Sequence, residues 1–172
     1  VIDKLVSIWE RGLCLKGCLF VMNRNILLVE PDFRTKFPPL GLMKISAYHK
    51  KLGDNVTFVK GIKESVAYEY WDRIYVSTLF TYHWHVTVKT IRYYKALVKD
   101  DPTRIIIGGI LASLMSDEIW RATGITPITG ILSYPGALDD NDLVVEDMIP
   151  DYELFNNVSQ NVFSKNYYEK WL

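Results

Sequence analysis

Residues 25–61 read NILLVEPDFRTKFPPLGLMKISAYHKKLGDNVTFVKG. An apolar run from Ile26 to Glu30, suited to a buried strand, passes through a proline-rich loop into a segment with Leu42, Ile45, His49 and Leu52 at helical spacing. Gly53 stands where a left-handed cap ends that helix, and Val56 to Val59 makes a second strand. A strand, a crossover helix and a strand form the repeating unit of a parallel sheet. The loop and helix start at Pro39-Leu40-Gly41 then fall at the carboxyl end of strand one, the edge where open α/β sheets bind ligands.

The alternation continues downstream. A short helical piece around Ser65 to Trp71 leads into strand three, Ile74 to Ser77, whose β-branched and aromatic content suits burial. Trp84, Val88, Ile91 and Val98 lay one apolar stripe along a helix that ends near Lys99-Asp100-Asp101-Pro102. Strand four is Arg104 to Ile107. Two glycines follow, and Ser116, Asp117 and Glu118 open another helix with acids at its positive end, closed by Gly124. Pro127 to Thr129 reads as a short fifth strand at the edge, since proline lacks the donor that a central strand needs. The expected fold is α/β, a flavodoxin-like doubly wound parallel sheet of five strands in the order 2-1-3-4-5, in a single domain over residues 22–130.

On either side the character differs. Residues 1–21 mix charged and apolar side chains and read as an extension ahead of Met22, with an amphipathic docking helix as the alternative. Between 131 and 155 lie Asp139, Asp140, Asp142, Glu146, Asp147, Asp151 and Glu153 with no Lys or Arg. Interrupted by Pro135, Gly136 and Pro150, this piece reads as an acidic connector whose charge is solvated, and residues 131–172 as a connector plus the start of a further region.

Composition narrows the functional classes. The chain has 172 residues, 49% of them hydrophobic, with 20 basic residues balancing 20 acidic ones. That balance gives no electrostatic pull toward nucleic acid. No apolar run reaches the ~18 residues that span a bilayer. Two cysteines are too few for a disulfide framework, and no export signal is evident, so a reducing, cytoplasmic setting is expected. Cys14 and Cys18 are spaced like the first two ligands of a C-x3-C-x2-C iron–sulfur loop, but residue 21 is Val.

At the carboxyl edge the loops Pro31 to Leu40, Thr78 to Trp84, Gly108 to Ser113 and Gly130 to Pro135 hold small, hydroxyl and aromatic residues and few titratable ones. That inventory suits holding a large cofactor and not acid–base catalysis. His83 and His85 lie two apart at a helix start and face roughly opposite ways, so they do not chelate one metal together; solvated helix-start positions are expected for them, with a polar contact at the ligand edge as the alternative for one. His49, late in its helix and far from this edge, is expected on the helix surface or half-buried. Strand three ends Val76-Ser77-Thr78, without the carboxylate that a phospho-receiver needs. Neither a Walker loop nor G-x-G-x-x-G is present. The loop Pro31-Asp32-Phe33-Arg34 lacks the hydroxyls of a flavin-phosphate site.

ILLVEP, FPPLGLMKISAYHKKLGDNV, IYVSTLF and IIIGGILAS with its acidic helix start, in this order over residues 25–130, resemble the cobalamin-binding domain that precedes the barrel of many radical S-adenosylmethionine enzymes. PGALDDNDLVVEDMIPDYELF is similar to the connector that leads to that barrel. The resemblance implies a corrin ring over the carboxyl edge and a nucleotide tail between the sheet and a helix. It implies cofactor contacts from Pro39, Leu40 and Gly41 at the first helix, Ser77, Thr78 and Leu79 after strand three, and Gly108, Gly109 and Ser113 after strand four. For each of these, a turn or cap without a ligand is the competing reading.

Departures from that pattern shape the expectation. No D-x-H-x-x-G occurs, since Ala47, Thr81 and His83 stand two before the three histidines, so a base-off corrinoid without that histidine ligand is implied, and no protein residue is assigned to the metal. The Gly-Gly loop continues Ile110-Leu111 where the family has Pro-His. No C-x3-C-x2-C follows, so the iron–sulfur cluster and S-adenosylmethionine belong to a barrel domain absent from this chain, joined in cis or acting in trans. Methyl-carrier or radical-partner chemistry is thereby implied, with no catalytic residue here. The alternative is a degenerate α/β docking or scaffold module that no longer binds a corrinoid.

Overall fold

The computed structural model describes residues 23–34 and 39–155. The expected extension at 1–21 with Cys14 and Cys18, the loop residues 35–38 and the aromatic end after 155 lie outside them. Among the described residues four parallel strands form one sheet in the order β2-β1-β3-β4: β1 Asn25–Glu30, β2 Asn55–Lys60, β3 Arg73–Thr78 and β4 Ile105–Gly109. Four α-helices accompany them: α1 Leu40–Lys51, α2 Trp84–Leu97, α3 Ile110–Leu114 and α4 Ser116–Thr123. No described helix is long and apolar enough to cross a membrane.

Side-chain alternation along the strands divides the core in two. Leu27, Val29, Ile74, Val76, Ile105 and Ile107 face one way, against Ile91, Tyr94 and Val98 of the α2 region, Leu111 of α3 and Ile119 of α4. Ile26, Leu28, Phe58 and Tyr75 face the other way, against Leu42 and Met43 of α1 and Leu154. Residues 26 to 29 have no exposed surface. Such an uninterrupted apolar run is what a strand covered on both faces requires. The two caps expected at Gly53 and Gly124 are present, at φ of 85° and 68°.

The fifth strand is not formed. Pro127 to Thr129 runs beside β4 with one backbone hydrogen bond, from Ile128 N–H to the Ile107 carbonyl at 2.8 Å. Pro127 offers no N–H, and three residues are too few to build a ladder around that gap. A short helix, α3, also intervenes between the two glycines and the acidic start of α4.

Residues 131–155 pack back on α1's side of the sheet, with Val145 and Leu154 buried. Three of their acids are held by basic partners. Asp139 accepts from Arg24 and Arg73, each at 2.7 Å; Glu146 pairs with Lys44 at 2.6 Å and Asp151 with Lys50 at 2.7 Å. The segment is therefore a strap fastened to the sheet, and for these three positions solvation does not account for the acidity.

His49 is fully buried, contrary to the surface or half-buried place expected of it. Its Nδ1 lies 2.7 Å from Asp54 Oδ2 and its Nε2 lies 2.9 Å from the Tyr75 hydroxyl. Arg73 donates to that hydroxyl, leaving its proton for His49 Nε2; a neutral ring protonated on Nδ1 satisfies every member. Arg24 grips Asp54 at 2.6 Å on the other side. Burial holds His49 below its ordinary pKa against the pull of Asp54. Burial opposes ionisation of Asp54 and Asp139, but the Arg24 hydrogen bonds prevail and keep both below the usual carboxylate range. Burial pushes the Tyr75 hydroxyl up to about 12.

Two outcomes follow from this cluster. Asp139→Asn leaves Arg24 and Arg73 short of a charged acceptor and should lower unfolding stability by about 2 kcal/mol in urea titration; an unchanged midpoint would refute the fastening role. The second concerns pH. An unfolded chain takes up the His49 proton near pH ~6.5 while the native chain resists it, so stability falls as pH drops below that value. The two aspartates act lower, stabilising above pH ~4 and losing that contribution as pH falls through their native pKa values. Between about pH 7.5 and pH 5.5 the wild-type urea midpoint should decline and His49→Gln should decline less; parallel curves would show that His49 is not the titrating group.

Candidate functional site

The carboxyl ends of β1, β3 and β4 bring together the loops at Phe33, Thr78 and Gly109. β3 and β4 approach closely here because Gly109 has no side chain. A Cβ on it would lie 2.2 Å from the Thr78 carbonyl oxygen, and its φ of 112° is itself unfavourable for other residues. Thr78 locks the junction: its hydroxyl donates to the Gly108 carbonyl at 3.0 Å and accepts from Ala112 N–H at 2.9 Å. Ser113 clips the next turn, donating to the Gly109 carbonyl at 3.0 Å and accepting from Gly130 N–H at 2.9 Å.

Two adjoining hollows open at this edge. The first, of about 500 Å³, lies over the strand ends and is lined by Phe33, Pro39, Leu40, Thr78, Leu79 and Ile110 among others. Its volume is in the range of small-molecule sites. The second, of about 220 Å³, runs between α1 and the β3–β4 face, lined chiefly by aliphatic side chains such as Ile45, Ile106 and Leu138. Gly41, Leu42, Ser77 and Gly109 border both. Of the nine positions singled out in the sequence, Pro39, Leu40, Gly41, Ser77, Thr78, Leu79, Gly108 and Gly109 line one or both hollows, and Ser113 lines neither.

Their roles differ. Thr78, Gly109 and Ser113 are occupied in holding the backbone. Gly41 and Gly108 have no such duty: a Cβ on Gly41 meets nothing within 4 Å, and on Gly108 only the Ile128 carbonyl at 3.9 Å. The space their missing side chains leave belongs to the hollows. Ser77 has no side-chain hydrogen bond among the described residues and stands where the hollows meet. Leu40, Phe80 and Ile110 are 52%, 42% and 53% exposed, an apolar rim around the opening.

His83 is half-buried at this edge, its ring stacked on Phe33 at 4.5 Å and 4.3 Å from the Tyr82 ring, in place of the solvated position expected. Its Nδ1 is buried without a hydrogen-bond partner among the described residues. His85 is exposed. Among the described residues no group of three or more His, Cys, Asp or Glu is placed to hold a metal ion. The residues that sequence reasoning missed are those of the strap, Leu132, Leu138, Val145 and Glu146, which close the second hollow. Their signal was the apolar residues scattered among the acids.

No family model matches the chain, and no curated protein matches its sequence.

The two kinds of glycine separate by experiment. Gly41→Ala, at an unstrained helical position facing open space, should raise stability by about 0.5 kcal/mol. Gly109→Ala should lower it by about 2 kcal/mol or more through the clash with Thr78. Equal effects in denaturant titration would overturn the distinction.

Proposed function

We propose that the chain is a flavodoxin-like, cobalamin-binding domain of the kind that serves radical S-adenosylmethionine enzymes. The observation that carries this reading is the pair of joined hollows, one broad over the strand ends and one deep beside α1, bordered by eight of the nine positions that the resemblance nominates. A corrinoid has a matching division into a flat macrocycle and a nucleotide tail. The fit extends to chemistry. Gly41 and Gly108 leave backbone open to close approach; Ser77, with no side-chain hydrogen bond among the described residues, offers its hydroxyl to a peripheral amide; the apolar rim suits the face of a macrocycle.

In this reading Pro39, Leu40, Gly41, Ser77, Leu79 and Gly108 contact the cofactor, while Thr78, Gly109 and Ser113 hold those contacts in place. A bound corrinoid would supply methyl transfer or radical chemistry at cobalt, with no ligand from a D-x-H-x-x-G histidine. This chain binds and orients it; a radical S-adenosylmethionine barrel with its own iron–sulfur cluster, in cis or in trans, is the partner. The second reading, a docking module without corrinoid, draws on Ile110-Leu111. Leu111 is fully buried in the core, however, so only Ile110 alters the rim.

Titration of the purified chain with hydroxocobalamin should give a stoichiometric, spectrally shifted complex that survives gel filtration. Gly41→Leu, which fills the junction of the hollows, should abolish it without lowering the unfolding midpoint. No retained corrinoid at ~100 µM would leave the docking reading in possession.

A further inference from the structure

The hollow beside α1 is closed on its outer side by the strap, through Leu132, Leu138, Val145 and Glu146. The polar side chains on its wall are Lys44, Tyr75, Ser77 and Glu146. Lys44 Nζ is engaged by Glu146, at 2.6 Å from Oε1 and 2.7 Å from the backbone carbonyl. The Tyr75 hydroxyl is engaged by His49 and Arg73. Among the described residues that leaves the Ser77 hydroxyl as the one side-chain group of this wall with no other partner, apart from the second oxygen of Glu146, whose side chain is half in solvent at the rim.

Resting on the corrinoid reading above, we infer that this hollow selects corrinoids by their lower base, accepting an apolar bicyclic ring such as dimethylbenzimidazole and rejecting adenine, and that the strap is the selecting wall. At about 220 Å³ the space exceeds the ~150 Å³ of an apolar cavity that takes up benzene. Size therefore admits either bicyclic base, and polarity decides. Adenine carries an exocyclic amine and several ring nitrogens that lose water on entry, and Ser77 replaces one hydrogen bond at best. A dimethylated benzo ring presents only carbon to Ile45, Ile106, Leu138 and Val145 and gains from leaving water. The strap contributes Leu132, Leu138 and Val145 to this apolar lining from outside the four-stranded core, beside Ile45 of α1 and Ile106 of β4.

Three corrinoids test this by equilibrium binding to the wild-type chain: hydroxocobalamin, the analogue with adenine as lower base, and cobinamide, which has no base. Cobalamin should bind at least tenfold more tightly than either of the others. Cobalamin and the adenine analogue binding within threefold of each other would overturn the selectivity and leave the corrinoid reading standing. Binding of none of the three would overturn that reading, and the inference with it. Leu132→Gln places an amide that can pair with the adenine edge on the strap. With its fold verified by circular dichroism, it should narrow the cobalamin-to-adenine ratio at least threefold and leave cobinamide affinity unchanged. An unchanged ratio in the folded variant would overturn the strap's role; should the variant not fold, the wild-type series decides alone.

Discussion

The Arg24 guanidinium, held between Asp54 and Asp139, joins three pieces of chain that are distant in sequence: the start of β1, the start of β2 and the strap. Arg73 at the start of β3 adds a second cation on Asp139. Two arginines and two aspartates make a cluster with no net charge. Burial is the main reason that His49 is held below its ordinary pKa, and Arg24, already answering the Asp54 carboxylate, adds to it by repelling a further cation there. The cluster lies at the amino edge of the sheet and reaches the second hollow through Tyr75 and Leu138. It matters to that hollow because the strap it fastens also forms part of the hollow's wall.

Glycine illustrates how one residue type serves two ends at this site. Gly109 is required by the protein itself, since β3 and β4 come too close there for any side chain. Gly41 is not, and in a helix it costs stability relative to alanine. A destabilising choice with no internal cause, at the meeting point of two hollows, is the pattern expected where backbone must admit a ligand. Ser77 belongs with it as a hydroxyl with no side-chain hydrogen bond among the described residues.

The four strands and the helices α1, α2 and α4 were legible because each rests on local periodicity, continuous apolar runs for strands covered on both faces and stripes three and four apart for helices, while the strand order came from fold analogy. The edge that carries the hollows was legible for the same reason, since topology fixes which loops meet there. What was not legible depends on distant partners. His49 looks like one more polar residue of a Lys-rich helix end until Tyr75 and Asp54 are brought to either side. Asp139 looks solvated until Arg24, 115 residues away, reaches it. Pro127 to Thr129 failed the opposite way: its local composition permits an edge strand, but the missing proline donor leaves one bond where a ladder was expected.

The strap's attachments differ in exposure: the Asp139 and Asp151 side chains are 17% and 9% exposed and the Glu146 side chain 46%. At Asp139 the acid is mostly buried and held by two arginines through fork geometry, an arrangement that salt screens weakly. At Glu146 the carboxylate is 46% exposed and held by a single lysine, the kind of pair that contributes little and yields to salt. The two buried attachments flank the exposed one, which lies on the wall of the second hollow. A wall built this way has its weakest ion pair beside the second hollow, so that losing that pair leaves the two buried attachments to keep the strap's register on the fold.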